Sequence, residues 1–453
     1  MSTTNIQRLV YMLQDAFDKL GALYSLNSIE ELAILVHEAM SAQNRKFHTT
    51  EHIFSILGSE ENPHLTLAAI FHDVVYHSVD GGFTEHVESI LKNYVAHEHD
   101  QFFIRKRALE REEFFNIVNQ IFGYKQGHFL VPINGMNEYM SALVAAKMLV
   151  PIIGLKNIIP TLVCIESSIP FRKKDDEGKS PFDKLEERIN NGQIFKKFKL
   201  NKNEIIEMVE LGVHFANMDV ANFADPQAVT FLDNTWKLLP ESNPTLITNK
   251  VYTIKKYRQA LEKMEMFFNK IDPHLIFHSY KNFPSENVHS RLIIQAQKNV
   301  QMGRYYLAGR LLSTSILEAL SEVSGGDAPV LMFLGSNTKG NMDSKYEFNE
   351  MIRKAPVDLA SDIDPTILTL FEYESQGSIL DFRKTPLAAF IYKSLGSKRM
   401  LEVLDKAKLM FKKEINPQDF LKEVGPKIIG PIANACSYMI STRKDQLKKW
   451  SQN

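Results

Sequence analysis

Cysteine is scarce in this chain: its 453 residues include only Cys164 and Cys436. Two thiols cannot form a disulfide scaffold, nor a zinc site that uses several thiolate ligands. A low cysteine content is typical of proteins in a reducing compartment, so we expect a cytoplasmic protein. The N-terminal segment carries Asp15 and lacks a long apolar core, and we therefore expect no signal peptide.

An excess of either charge is also lacking. Lys and Arg together number 53, Asp and Glu together number 54, and the formal net charge is −1. Proteins that bind nucleic acid usually present a basic face or a high pI. A nucleic-acid duplex is therefore not an expected partner.

The chain has no long apolar run that is free of charges and prolines. The most apolar stretch, 143–170, is interrupted by Lys147, Pro151, Lys156 and Pro160. A membrane-spanning helix needs about 20 predominantly apolar residues. The stretch predicts two buried helices instead, and we expect no membrane partner.

Helical periodicity, in contrast, is abundant. Leu9, Leu13 and Phe17 recur at a spacing of four, which is typical of an amphipathic helix. Similar patterns predict helices over 48–57 and 65–76. Alternating strand patterns are scarce, so the sequence predicts an all-α fold.

The length favours two or three domains. A break at 239–244 that contains Pro and Ser separates an N-terminal domain, 1–235, from a C-terminal helical domain of unassigned role, 245–453. The charged segment 170–203, which carries Gly and Pro, predicts an exposed insertion of loop or short helix. The C-terminal helices are the candidate surface for a homo-oligomer.

With 14 histidines, the chain is rich in imidazole, and two of them form the pair His48 and His52. Histidines four apart on a helix lie on one face, one turn above the other. That arrangement allows one of them to bind a metal while the other handles a proton. By itself the pair is weak evidence, because chance pairs are expected among 14 histidines, and surface histidines are then the favoured interpretation.

A second pair, His72 and Asp73, lies inside the apolar run 65–76. Burying an imidazole and a carboxylate is costly unless both are paired or bind a metal. The alternative is a core histidine that forms a hydrogen bond with its neighbour. The flanking apolar residues and the upstream histidine pair favour the metal.

A third feature is the segment 214–225, which contains Asp219 and Asp225. An apolar stripe leads into it, so Asp219 is expected late in a helix. It can serve as a metal ligand, or it can cap the turn that follows. Asp225 remains the alternative as the last ligand.

These segments together resemble the HD superfamily of metal-dependent phosphohydrolases. RKFHTTEHI is similar to the R-Y-H-x-x-x-H-I segment of bacterial HD hydrolases, and LAAIFHDVVYH to their L-A-x-x-F-H-D-x-V-Y core. MDVANF is similar to the D-L-S-N-P element of class I cyclic-nucleotide phosphodiesterases, which are more distant relatives. The resemblance covers about 30–95 and 204–225 and implies an HD-type helical bundle.

The resemblance also implies roles. His52, His72, Asp73 and Asp219 would hold a divalent ion, and His48 would be the acid that protonates the leaving oxygen. The chain departs from the phosphodiesterase pattern in two places. Thr49 replaces an Asn, and His77 follows His72 by five residues rather than four, so a second-metal arrangement can differ.

Three further residues are candidates near the reaction. Arg45 precedes His48 and is the candidate cation that stabilises developing negative charge; Arg172 is another, although a surface arginine is favoured there. Glu85 resembles an acidic residue that lies near the metal in bacterial HD hydrolases. A glutamate favoured by the helix dipole explains Glu85 almost as well.

The predicted function is hydrolysis of a nucleotide or another small phosphate ester by metal-activated water. The metal is one or two ions of Mn, Mg, Fe, Ni, Co or Zn, all of which accept imidazole and carboxylate ligands. The alternative is a non-catalytic module that holds a metal or nucleotide and engages a protein partner through its C-terminal helices. Because every ligand position is filled, the sequence favours the enzyme.

Overall fold

The structure is a computed structural model that describes residues 4–99, 101–106, 112–243, 246, 251–334, 347–372 and 386–451. Helices dominate these residues, and the strands among them are three short ones. The predicted all-α class is therefore confirmed.

The chain forms two compact units. The first contains 1–225 and 272–297, and the second contains 226–271 and 298–453. The sequence prediction had placed 272–297 in the C-terminal domain and the boundary at 239–244. The structure differs because this later segment packs on the first unit: Tyr280 belongs to its core, and the Asn217 side chain pairs with the backbone of His278.

Within the described residues, the first unit contains ten complete α-helices and three strands, together with residues 286–297 of a helix that is shared with the second unit. They are α1 (Asn5–Lys19), α2 (Leu26–Met40), α3 (Thr50–Leu57), α4 (Pro63–Phe71), α5 (His77–Asp80), α6 (Glu85–Leu91), β1 (Val95–Glu98), β2 (Gln101–Ile104), α7 (Glu113–Phe122), β3 (Phe129–Leu130), α8 (Met136–Ser167), α9 (Pro181–Asn191) and α10 (Lys202–Asp219). The strands form one antiparallel sheet in the order β1-β2-β3, with Val95 opposite Ile104 and Phe103 opposite Phe129.

The core of the first unit is organised around α8, which packs against α4, α7 and α10. Gly154 adopts a positive φ of 78° and breaks the helix into two segments. The prediction of two helices in this stretch is thus confirmed, because the segments before and after Gly154 are separate helical pieces of α8. Among the described residues, α8 is the helix whose length and composition would allow it to cross a membrane, and half of its most apolar window is buried in the protein.

Two helices, α4 and α10, end at candidate site residues, and their local sequences explain where they begin. Asn62 caps α4, and Pro63 follows as its first residue, where a missing N–H costs nothing. Asn201 and Glu204 form a capping box at the start of α10. Within α10, Gly212 lies against α8 so closely that an added Cβ would stand 2.3 Å from Ser167 Oγ. Close packing of α10 on α8 therefore requires this glycine.

The segment 170–203 was predicted to be an exposed insertion of loop or short helix. It does contain a short helix, α9, but this helix is not fully exposed, because it contacts α7 and α10. Phe182, Leu185 and Ile189 are buried, and their spacing of three and four places them on one face of that helix. The charged residues between them concealed this stripe in the sequence.

The second unit is also helical. Its described helices are α11 (Ala228–Trp236), α12 (Leu238–Glu241), α13 (Ile254–Lys270), α14 (Glu286–Gly325, of which the residues from 298 belong here), α15 (Val330–Leu334), α16 (Phe348–Arg353), α17 (Pro365–Glu372), α18 (Leu387–Phe411), α19 (Pro417–Val424), α20 (Pro426–Met439) and α21 (Lys444–Ser451).

Candidate metal centre

The first histidine pair is divided between a loop and a helix. His52 lies in α3, whereas His48 precedes Thr50, the first residue of that helix. The prediction that both share one helix face is therefore wrong. Residues 41–49 are irregular in the described structure, and the first turn forms only where the His52 N–H bonds to the Thr49 carbonyl at 2.9 Å.

His72 and Asp73 lie where α4 ends. His72 is the C-terminal cap, so the pair follows the helix rather than lying inside it, as the sequence had predicted. The His72 side chain is 2% exposed. Its Nδ1 lies 3.0 Å from the Ala69 carbonyl oxygen, which can only accept a hydrogen bond. Nδ1 therefore carries a proton, and in the neutral ring Nε2 presents its lone pair.

Asp219 is the last residue of α10, and its carboxylate reaches both histidines. Its Oδ1 lies 3.2 Å from His52 Nε2 and 3.4 Å from His72 Nε2. The Asp73 carboxylate lies 3.0 Å from His72 Nε2 and 3.9 Å from His52 Nε2. Of the two carboxylates that the sequence offered as the last ligand, Asp219 thus lies next to both histidines, and Asp225 stays the alternative.

The four side chains converge as a mixed nitrogen and oxygen set. One donor atom from each of His52, His72 and Asp73 lies within 4.8 Å of the other two. Ligands that each lie about 2.1 Å from one divalent ion are separated from one another by roughly 3.0–3.4 Å. The contacts of His72 with the two carboxylates fall in this range, so the described side chains fit an ion of this type.

The electrostatics of the group are those of a buried cluster. Burial opposes ionisation of Asp73 and Asp219, yet the neighbouring His72 outweighs it and holds the pKa of both carboxyls below the usual range. Burial likewise lowers the pKa of His72, but the two carboxylates raise it well above its ordinary value.

One buried atom of this group is without a hydrogen bond among the described residues. His72 Nε2 is fully enclosed and makes no hydrogen bond of acceptable geometry, although two carboxylates lie close to it. An unsatisfied buried polar atom costs on the order of 1–3 kcal/mol. A cation bound between Nε2 and the carboxylates would satisfy all three groups at once.

His48 lies beside the donor set. Its ring centroid is 5.6 Å from that of His52 and 4.7 Å from that of Tyr76, and both contacts are edge-on. His48 also helps to hold the pKa of Asp73 low. The imidazole therefore lies near the candidate centre.

Arg45 does not face the centre as a substrate-binding cation. Its side chain is fully buried and forms a bidentate ion pair with the Asp80 carboxylate, with both N–O distances at 2.7 Å. The remaining N–H groups donate to backbone carbonyls of His48, Asp73 and Val74. The predicted direct catalytic role of Arg45 is corrected because none of its donors is left for a phosphate.

Glu85 is the first residue of α6 and is exposed. Within the described part of the chain, no hydrogen bond or ion pair joins it to the four donors. The alternative that the sequence offered, a glutamate favoured by the helix dipole, accounts for its position. Arg172 is engaged as well, because it binds the buried carboxylate of Glu166 at 2.7 Å.

Sequence reasoning missed Glu138, in the first turn of α8. Its Oε2 is buried without a hydrogen-bond partner among the described residues. Burial, with additions from Asp73 and Asp219, raises the pKa of Glu138 to about 7. One turn later, Ser141 Oγ accepts a hydrogen bond from the Val75 N–H at 3.0 Å, so this face of α8 lies against the turn that follows Asp73. The sequence contained one signal for Glu138, because it is an acidic residue at the start of an otherwise apolar helix.

Comparisons with protein-family models, with curated proteins and with solved structures gave no match. The functional argument therefore depends on the geometry of the centre and on the sequence resemblance.

Proposed function

We propose that the first unit is a metal-dependent phosphohydrolase of the HD type, which cleaves a nucleotide or another small phosphate ester. The observation that carries this proposal is the convergence of two imidazoles and two carboxylates around His72 Nε2, a buried nitrogen that makes no hydrogen bond of acceptable geometry among the described residues. Imidazole and carboxylate donors suit borderline and hard divalent ions.

The residues divide into ligands and a proton donor. His52, His72, Asp73 and Asp219 would hold the ion. A divalent ion in this position supplies Lewis-acid stabilisation of the phosphoryl oxygens and activation of the attacking water. His48 lies outside the four donors but next to His52, and it would give a proton to the leaving oxygen.

The Ala69 carbonyl has a supporting role. It fixes the proton of His72 on Nδ1 and thereby directs Nε2 towards the carboxylates. Groups that orient a metal-binding histidine in this way also increase its basicity. This contact comes from the helix itself, because Ala69 lies three residues before His72.

The experiment is a metal and substrate panel on the full chain. Protein stripped with a chelator is reloaded with Mn²⁺, Mg²⁺, Ni²⁺, Co²⁺, Fe²⁺ or Zn²⁺ and assayed with bis(4-nitrophenyl) phosphate, 4-nitrophenyl phosphate and a set of nucleotides. We expect turnover with at least one ion, and loss of both bound metal and turnover in His72→Ala. His128→Ala is the control, because it removes an exposed imidazole outside the donor set.

Two results would contradict the proposal. Turnover that survives chelation and the His72→Ala change would place the chemistry elsewhere. Metal binding that depends on His72 without turnover of any phosphate ester would favour the non-catalytic binding module.

A further inference from the structure

The Arg45 guanidinium is saturated with hydrogen bonds. An arginine has five N–H groups, and each of those of Arg45 has an acceptor. Nε and one Nη2 hydrogen point to the Asp80 carboxylate, and the other Nη2 hydrogen points to the Val74 carbonyl at 3.5 Å. Nη1 donates to the His48 carbonyl at 3.2 Å and to the Asp73 carbonyl at 2.7 Å.

The two carbonyls that Nη1 reaches, those of His48 and Asp73, lie outside the helices. His48 precedes α3, and Asp73 follows α4, so neither backbone position is fixed by the hydrogen-bond ladder of a helix. One donor nitrogen, Nη1 of Arg45, joins the two carbonyls. The side chain of one of these residues is the candidate acid, and that of the other is a candidate ligand.

The Asp80 carboxylate holds Arg45 in turn. Its side chain is 15% exposed, and the two parallel N–O contacts fix the plane of the guanidinium. Asn44 adds a second link between the same segments, because its side chain donates to the Val79 carbonyl at 3.1 Å. The direction of Nη1 is therefore set by the fold and not by a ligand.

We propose that the Arg45–Asp80 pair is the positioning element of the centre: it fixes the separation between the His48 loop and the Asp73 turn, and thereby sets both metal affinity and alignment of the acid. The role for the acid rests on the proposed phosphohydrolase function. The role in holding the two segments does not. Lysine cannot substitute, because an ammonium group lacks the planar fork that reaches a carboxylate and two carbonyls together.

The test compares Arg45→Lys, Arg45→Ala and Asp80→Asn with a matched control. Arg258 in the second unit is also a buried guanidinium, bound to Glu318 at 2.8 and 3.3 Å, so Arg258→Lys makes an equivalent change outside the centre. Four quantities are measured on each full-length variant: the affinity for Mn²⁺ by calorimetry, kcat and KM on the substrate found by the panel, and amide hydrogen exchange of the metal-free protein.

We expect Arg45→Lys to weaken Mn²⁺ binding by about 10–100-fold, as is usual when a group supporting a metal ligand is lost. kcat should fall by a similar factor while KM changes little, because the acid is misplaced rather than the substrate contacts. Free guanidinium should restore part of the Mn²⁺ affinity of Arg45→Ala. Asp80→Asn should show a smaller loss in the same direction. Arg258→Lys should lower thermal stability and leave Mn²⁺ affinity unchanged.

Hydrogen exchange separates this inference from the proposed function. In metal-free Arg45→Lys, peptides over 45–54 and 70–80 should lose protection together, while the rest of the first unit keeps it. Unchanged protection in both peptides, or a loss spread evenly over the unit, would overturn the positioning role even if the enzyme is active. A selective loss of protection in a protein that neither binds metal nor hydrolyses phosphate esters would contradict the phosphohydrolase function. It would still support the role of the Arg45–Asp80 pair in holding the two segments.

Discussion

Asp73 and His48 are predicted to differ in what their removal does. Asp73→Ala should lose metal and activity together, because it removes an anionic donor 3.0 Å from His72 Nε2. His48→Ala should keep the metal but lose rate by about 10²–10⁴, which is the usual contribution of a positioned acid. The reason is that His48 lies beside the donor set, against the rings of His52 and Tyr76.

Metal content measured beside turnover, for each single variant, decides between these roles. If His48→Ala strips the metal while His52→Ala retains it, the assignments are reversed. If neither variant changes turnover on a substrate that the wild-type protein cleaves, the pair is structural.

At the scale of helices, the position of Asp219 depends on how closely α10 packs on α8. Gly212 makes that packing possible, since a Cβ there would stand 2.3 Å from Ser167 Oγ and 3.2 Å from Ser167 Cβ. Gly212→Ala should therefore displace α10, destabilise the protein by about 1–3 kcal/mol as overpacking does, and weaken Mn²⁺ binding.

The control for this prediction is Gly430→Ala, in α20 of the second unit. There a Cβ would meet nothing closer than 3.7 Å, and loss of a helical glycine should be neutral or stabilising. Ser167→Ala removes the nearest atom, so the double change of Gly212 and Ser167 to Ala should recover part of the stability. Equal Mn²⁺ affinity in Gly212→Ala and wild type would show that the end of α10 is held by other contacts.

At the scale of the whole molecule, two partly buried histidines with lowered pKa values make stability depend on pH. Burial lowers the pKa of His64 to about 4, and that of His278 likewise. A histidine with a depressed folded pKa contributes stability that is complete above its unfolded pKa of about 6.5 and is lost as pH falls towards 4. Each such group should cost roughly 2 kcal/mol between pH 6.5 and 5.

His64→Gln should remove this share of the acid sensitivity while keeping a polar contact to Thr161, whose Oγ1 lies 3.4 Å from His64 Nδ1. The measurement is the unfolding midpoint at pH 7 and pH 5, for wild type and variant. The difference between the two proteins isolates His64, because the opposite contribution of His72, whose pKa is raised, is common to both. Parallel pH dependence of the two proteins would contradict the prediction.

Some features follow from the sequence because they depend on neighbours in the chain. Apolar spacing determined the helical class, and the cost of burying a polar pair marked His72 and Asp73. Capping residues such as Asn62 and Asn201 also act locally, so the first residues of α4 and α10 can be predicted from a few neighbouring residues in the sequence. The resemblance to HD phosphohydrolases likewise arises from three short segments.

Other features depend on packing between distant parts of the chain, and only the tertiary structure decided them. Asp219 meets His52 across 167 residues, and Arg45 meets Asp80 across 35. A sequence cannot show that all five donors of an arginine are already engaged, because their acceptors are backbone carbonyls that every residue carries. Nor could the sequence show that His48 lies outside α3, or that the segment 272–297 belongs to the first unit. Both findings depend on which surfaces are buried against one another in the folded chain.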